Sequence, residues 1–185
     1  MLSGQDQLRQ RVAFALHQIL VISGRDINRP SGMTAYLQAF DQNAFGNFRT
    51  LLNAITLNPG MGEYLDMVRS TRTNPNENFA REILQLFSIG VNELNLDGTV
   101  KTDAQGVSVP SYSQNSVNEF TRVFTGWRFE TPFSAGVTNF RNPMVPRGGT
   151  SHDTGAKVLL SGFSLPACSG TNATCAQLDL DNCAH

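Results

Sequence analysis

Apolar residues recur every three or four positions through most of residues 5–126, the spacing of helices that pack by one face. In residues 5–23, Leu8, Val12, Ala15, Ile19 and Ile22 share a face, and the second half is apolar nearly all round. That predicts a first helix with other elements around it. His17 falls opposite the stripe and reads as a hydrogen-bonded helix histidine. After the loop GRDINRPSG, a helix is predicted over 33–43 through Met33, Tyr36, Leu37 and Phe40. Asn47 is placed to cap the next, with Phe48, Leu51, Leu52 and Ile55 inward. Asn58-Pro59 then has the cap and first-position pattern of a short helix through Tyr64, Leu65 and Val68.

The most sharply patterned stretch is NPNENFAREILQLFSIG, residues 74–90. With Asn76 as cap, Phe79, Ala80, Ile83, Leu84, Leu86 and Phe87 cover one arc. Glu77, Asn78, Arg81, Glu82, Gln85 and Ser88 cover the other. From 91 to 113 the period shortens, and Asp97-Gly98 and Gln105-Gly106 break the alternating runs. Those are turn signals of one or two small hairpins projecting from a helical body. Residues 115–126 predict a last clear helix with Val117, Phe120, Val123 and Phe124 together. Beyond Trp127 the chain reads as irregular, with a short strand at Lys157 and a helix only beginning in LDLDNCAH. The fold class is therefore mainly α: a helical bundle-like core, one or two β-hairpins and an irregular C-terminal region. We read one incomplete domain, helical over about 5–126 and loop-rich over about 127–185.

Composition narrows the function classes. Of 185 residues 40% are apolar and only 16% charged, with a net charge of −1. No basic field for nucleic acid is present. The polar uncharged excess suits a protein working outside the cytoplasm. No signal peptide is visible, and the longest apolar concentration, VAFALHQILVI, is too short to span a bilayer. Three cysteines are present. Cys168 and Cys175 flank a six-residue loop and are expected to form a disulfide, which implies an oxidising compartment. A metal site built from the three thiols and His185 is the weaker reading, because zinc ligands are normally spaced more closely. Asp97 and Asp103 match no calcium loop.

Glu77 and Arg81 form a favourable i, i+4 pair. Glu82 lies at the apolar seam, so its carboxylate should be partly buried and need a cation. Arg122 is the first choice and Arg128 the second. The rival reading gathers Glu77, Arg81, Glu82, Arg122, His152, Asp153 and Lys157 into a hydrolytic polar site, with His152 and Asp153 as weak metal candidates. Ser151-His152-Asp153 is not a triad by sequence, because consecutive residues cannot aim at one another, and no nucleophile elbow is present. Trp127 reads as core, or as a platform for stacking a sugar. No cofactor is predicted.

NENFAREILQLFSIGVNELNLDGT, with DQLRQRVAFAL, AFGNFRTLLNAITLNPGMGEYLD, TRVFTGW and HDTGAK in order, resembles the bacterial family called domain of unknown function 1800. The resemblance runs through nearly the whole chain. Asn76 stands where the family usually has Asp, which removes a charge from any metal reading there. The resemblance implies a fragment from the middle of a longer, commonly exported protein, periplasmic or extracellular, often encoded beside a sulfatase-like protein. It implies no catalytic residue. Two functions stand open: a non-catalytic binding or assembly partner of that neighbour, or a hydrolase.

Overall fold

The structure is a computed structural model that describes residues 5–132 and 136–183. Seven α-helices dominate it: α1 Gln7–Ile19, α2 Pro30–Asn43, α3 Phe48–Thr56, α4 Pro59–Tyr64, α5 Asn78–Gln85, α6 Gln114–Val123 and α7 Asn172–Cys183. Two small antiparallel sheets accompany them, β1 Trp127–Arg128 with β2 Val145–Pro146 and β3 Lys157–Val158 with β4 Ser164–Leu165. The mainly α class is thus observed. No described helix is long and apolar enough to cross a membrane.

Local signals place most helix starts. The Asn47 side chain accepts from the Arg49 amide at 2.8 Å, and that of Asn58 from the Gly60 amide at 2.8 Å with Pro59 behind it. Ser113 and Ser116 close a capping box on α6. Helix α5 begins one residue later than the pattern suggests, and Asn76 still acts at its start by accepting from the Asn78 amide at 2.9 Å. The segment after α5 folds as a bridged ribbon, with Leu94 facing Val100 and Thr102 facing Ser108. Its turns sit at Gly98 and Gly106, whose φ of +85° and +79° only glycine adopts without strain. Both expected turns are present.

Helices α5 and α6 meet through Phe79 and Phe124, edge to face at 4.8 Å, beside buried Leu84, Val117 and Phe120. Trp127 is core and not a stacking platform.

Helix α1 turns a different face inward from the one expected. Ala13 is its buried residue, while Leu8 is 68% exposed and Phe14 and Ile19 are also exposed. Polar bonds hold it to α2: Arg9 donates to the Asp41 backbone oxygen at 2.7 Å and Gln10 to the Asp41 carboxylate at 3.0 Å. His17 lies on this inward side, edge-on to Tyr36 and Phe40 at 6.0 and 5.6 Å. Its Nε2 is buried without a hydrogen bond, so the expected hydrogen-bonded histidine is an aromatic packing residue. Burial holds its pKa below the usual histidine value.

The C-terminal part corrects the expectation of irregular chain. Helix α7 starts at Asn172, well before LDLDNCAH. Its inward face carries Cys175, Ala176, Asp179 and Leu180. A carboxylate on the inner face, with Leu178 outside, hides the helical period from a reading of apolar spacing.

Candidate functional site

The end of α6, the segment 151–157 and α7 meet at a buried polar cluster. Gly126 lets them close. Its φ is +82°, and a Cβ there would sit 2.8 Å from the His152 backbone nitrogen, so any other residue would push the segment away. His152, Lys157 and Asp179 are 0%, 1% and 4% exposed. Lys157 Nζ lies 2.6 Å from Asp179 Oδ2 and donates to the backbone oxygens of Asp153 and Gly155 at 2.6 and 2.9 Å. The His152 ring spans Thr125 O at 2.8 Å from Nδ1 and Asp179 Oδ2 at 3.0 Å from Nε2. A carbonyl oxygen only accepts, so Nδ1 carries a proton. The Nε2 contact is then a hydrogen bond only with a second proton between ring and carboxylate.

Arg122 forms the outer part. It grips Asp153 in a fork, Nε to Oδ2 at 3.1 Å and Nη2 to Oδ1 at 3.0 Å, and binds Glu119 through Nη1 at 2.8 and 3.0 Å. Glu119 also accepts from the Val158 amide at 3.0 Å, which ties α6 to β3. The hydrogen bonds that Arg122 donates to Asp153, with the charges of Asp153 and Glu119, hold the Arg122 pKa above its ordinary value despite burial. Burial pushes Asp153 upward. Hydrogen bonds from Arg122 and the Gly155 amide, with the charges of Arg122 and Lys157, outweigh it and leave the carboxyl below its ordinary range. Arg122 and Lys157 thus face the carboxylates of Glu119, Asp153 and Asp179.

A disulfide anchors the far side. Cys168 and Cys175 are bonded, their Cα atoms 5.7 Å apart. The Cys168 amide donates to Thr154 O at 2.9 Å. Asn172, inside the closed loop, accepts from the His152 amide and donates to the His152 carbonyl at 3.2 Å. The loop therefore holds both the segment and the start of α7.

The structure brings Arg122, His152, Asp153 and Lys157 together but leaves the other candidates apart. Glu77 and Arg81 pair at 2.6 Å near solvent, and Gln114 bridges them, accepting from Arg81 at 3.0 Å and donating to Glu77 at 2.9 Å. Those contacts from Arg81 and Gln114 lower the Glu77 pKa. The expected ion pair between Glu82 and Arg122 does not form. Glu82 is half-buried, its Oε2 is buried without a hydrogen bond, and no described arginine pairs with it. The reason is rotational. Phe120 and Phe124 of α6 lie toward α5, and Arg122, two residues from each, points about 200° away.

Ser151 does not join His152 and Asp153 in a triad; its hydroxyl faces Gly148 O at 3.5 Å. Both His152 nitrogens are engaged, and among the described residues no group of three His, Cys, Asp or Glu is arranged to hold a metal. The zinc reading also used His185, which lies outside the described residues. Sequence reasoning missed Asp179, Glu119, Thr125 and Asn172. The one available signal was the pair of Asp residues within the apolar spacing of LDLD.

The sequence model of one family, described as a protein of unknown function (DUF1800), matches residues 1–180. The chain belongs to the DUF1800 family. No curated protein and no solved structure matches it. Both polar groups of this DUF1800 chain fall inside the matched region, as does the disulfide.

Proposed function

We propose that this DUF1800 chain is a non-catalytic helical binding or assembly partner, exported by a bacterium and working in the periplasm or outside the cell. The observation that carries the reading is the use already made of the polar residues. Arg122, His152, Asp153 and Lys157 bind one another and Asp179, and the innermost are shut from solvent, so they stabilise an arrangement instead of meeting a substrate. The disulfide supports an oxidising location. The partner to try first is the sulfatase-like protein that the family resemblance suggests. Co-expression of the two full-length proteins, followed by size-exclusion chromatography and calorimetry, is expected to give a stoichiometric complex. Two separate peaks and no binding heat would overturn that partner.

A hydrolase is the second reading, favoured by Glu82 alone, since an unpaired carboxylate oxygen beside apolar side chains is what a general acid or base requires. Metal analysis and a hydrolase panel on the full-length protein test it. An activity abolished by Glu82→Gln with unchanged thermal stability would replace the binding reading.

A further inference from the structure

A cleft of about 390 Å³ opens between α3, α5, α6 and α7, on residues that the polar cluster does not use. We propose that it binds a single-chain amphiphile with an anionic head, of the kind represented by a medium-chain fatty acid. This goes beyond the assembly role and does not depend on it.

The cleft has the volume and lining of a small-molecule site, mostly apolar with a few placed polar groups. Leu84, Phe120, Phe124 and Leu180 line it as buried apolar side chains, and Phe48 and Ile89 line it exposed. Helix α3 supplies one wall at helical spacing: Arg49, Leu52, Asn53 and Thr56. The Thr56 hydroxyl is spent on the Leu52 carbonyl at 2.8 Å. The Arg49 guanidinium and the Asn53 amide, one turn apart, donate no hydrogen bond to any described residue. They form a pair of exposed donors beside an apolar trough, and no carboxylate lines the cleft to compete for them.

Cys183 also lines it. Burial first, then the charges of Asp179 and Asp181, push that thiol up to about 12, so it adds no negative charge at neutral pH. Of those two carboxylates, Asp179 is matched by Lys157 and Asp181 lies exposed. The site thus offers one cation, one amide donor and an uncharged, mostly apolar remainder. That combination selects a tail with a single anionic head over a neutral or cationic one.

Calorimetry on the full chain with dodecanoate, below its micellar concentration, tests the proposal. Dodecanol serves as the tail alone, acetate as the head alone, and dodecyltrimethylammonium carries the opposite charge. Dodecanoate is expected to bind saturably and to slow alkylation of Cys183 by N-ethylmaleimide. Arg49→Gln, a change at an exposed position, is expected to weaken dodecanoate about tenfold, the scale of one charge-assisted hydrogen bond, and to leave dodecanol unchanged. Three results would each overturn the proposal: no saturable binding of dodecanoate, equal binding of dodecyltrimethylammonium, or an Arg49→Gln variant that binds dodecanoate as the wild type does. If Cys183 is too slow to alkylate, the calorimetric series decides.

Discussion

Two polar groups touch the two ends of α6 and differ mainly in what surrounds them. At its start, Gln114 bridges Glu77 and Arg81, whose side chains remain 44% and 35% exposed. Near its end, Arg122 leads into a cluster whose inner members, His152, Lys157 and Asp179, are closed to water. Both have short contacts and favourable charge. The lesson is that bond lengths do not set what each is worth. Removing a partner at the start returns the others to water, whereas removing one at the end strands a buried charge.

The largest expected effect is therefore Asp179→Ala. It leaves Lys157 without its carboxylate and His152 Nε2 without its acceptor, and should cost about 4 kcal/mol in urea unfolding. A cost below about 1 kcal/mol would erase the contrast between the two groups, because that is the range of surface pairs.

Next is the disulfide that ties the loop to α7. Replacing Cys168 by Ser should remove about 2.5 kcal/mol, from the loop-entropy relation for so short a ring. Hydrogen exchange should rise along α7 first, because Asn172 loses its fixed position against His152.

Acid offers a sharper comparison within the larger cluster. Asp153 has a folded pKa below its ordinary value, so its contribution is fully present above the unfolded value near 3.9 and is lost as pH falls through the folded one. Unfolding curves should show the gap between wild type and Asp153→Asn closing below about pH 4. A gap that instead closed on the alkaline side would reverse the sign and with it the assigned role of Arg122.

The smallest effects are expected on α5. Glu77→Ala should cost a few tenths of a kcal/mol, about the value of an exposed i, i+4 pair, and less in high salt. Glu82→Ala should stay within about 1 kcal/mol, since no cation is left behind, where a buried ion pair would have cost about 3 kcal/mol. A loss on that larger scale would show a partner for Glu82 that the structure does not place beside it.

Much of this was legible along the chain. Local rules act over a few residues, so Asn47, Asn58 and Ser113 marked helix starts, Gly98 and Gly106 marked turns, and two cysteines around a short loop marked the disulfide. The family of the chain was legible for the same reason: its motifs are contiguous. What period alone could not settle was direction. The second half of helix α1 is apolar nearly all round, and the choice of inner face fell to Asp41 on α2, which draws in Arg9 and Gln10 and leaves Leu8 outside. Likewise Glu82 and Arg122 suit one another in charge, yet the aromatic contact of α5 with α6 turns Arg122 to the far side, toward Asp153. Asp179 is a polar residue buried on an inner face, which apolar spacing reads as a break in a helix. Only packing against Lys157 and His152, 22 and 27 residues earlier in the chain, makes that burial tolerable, since charge pairing depends on distance in space and not on separation in sequence.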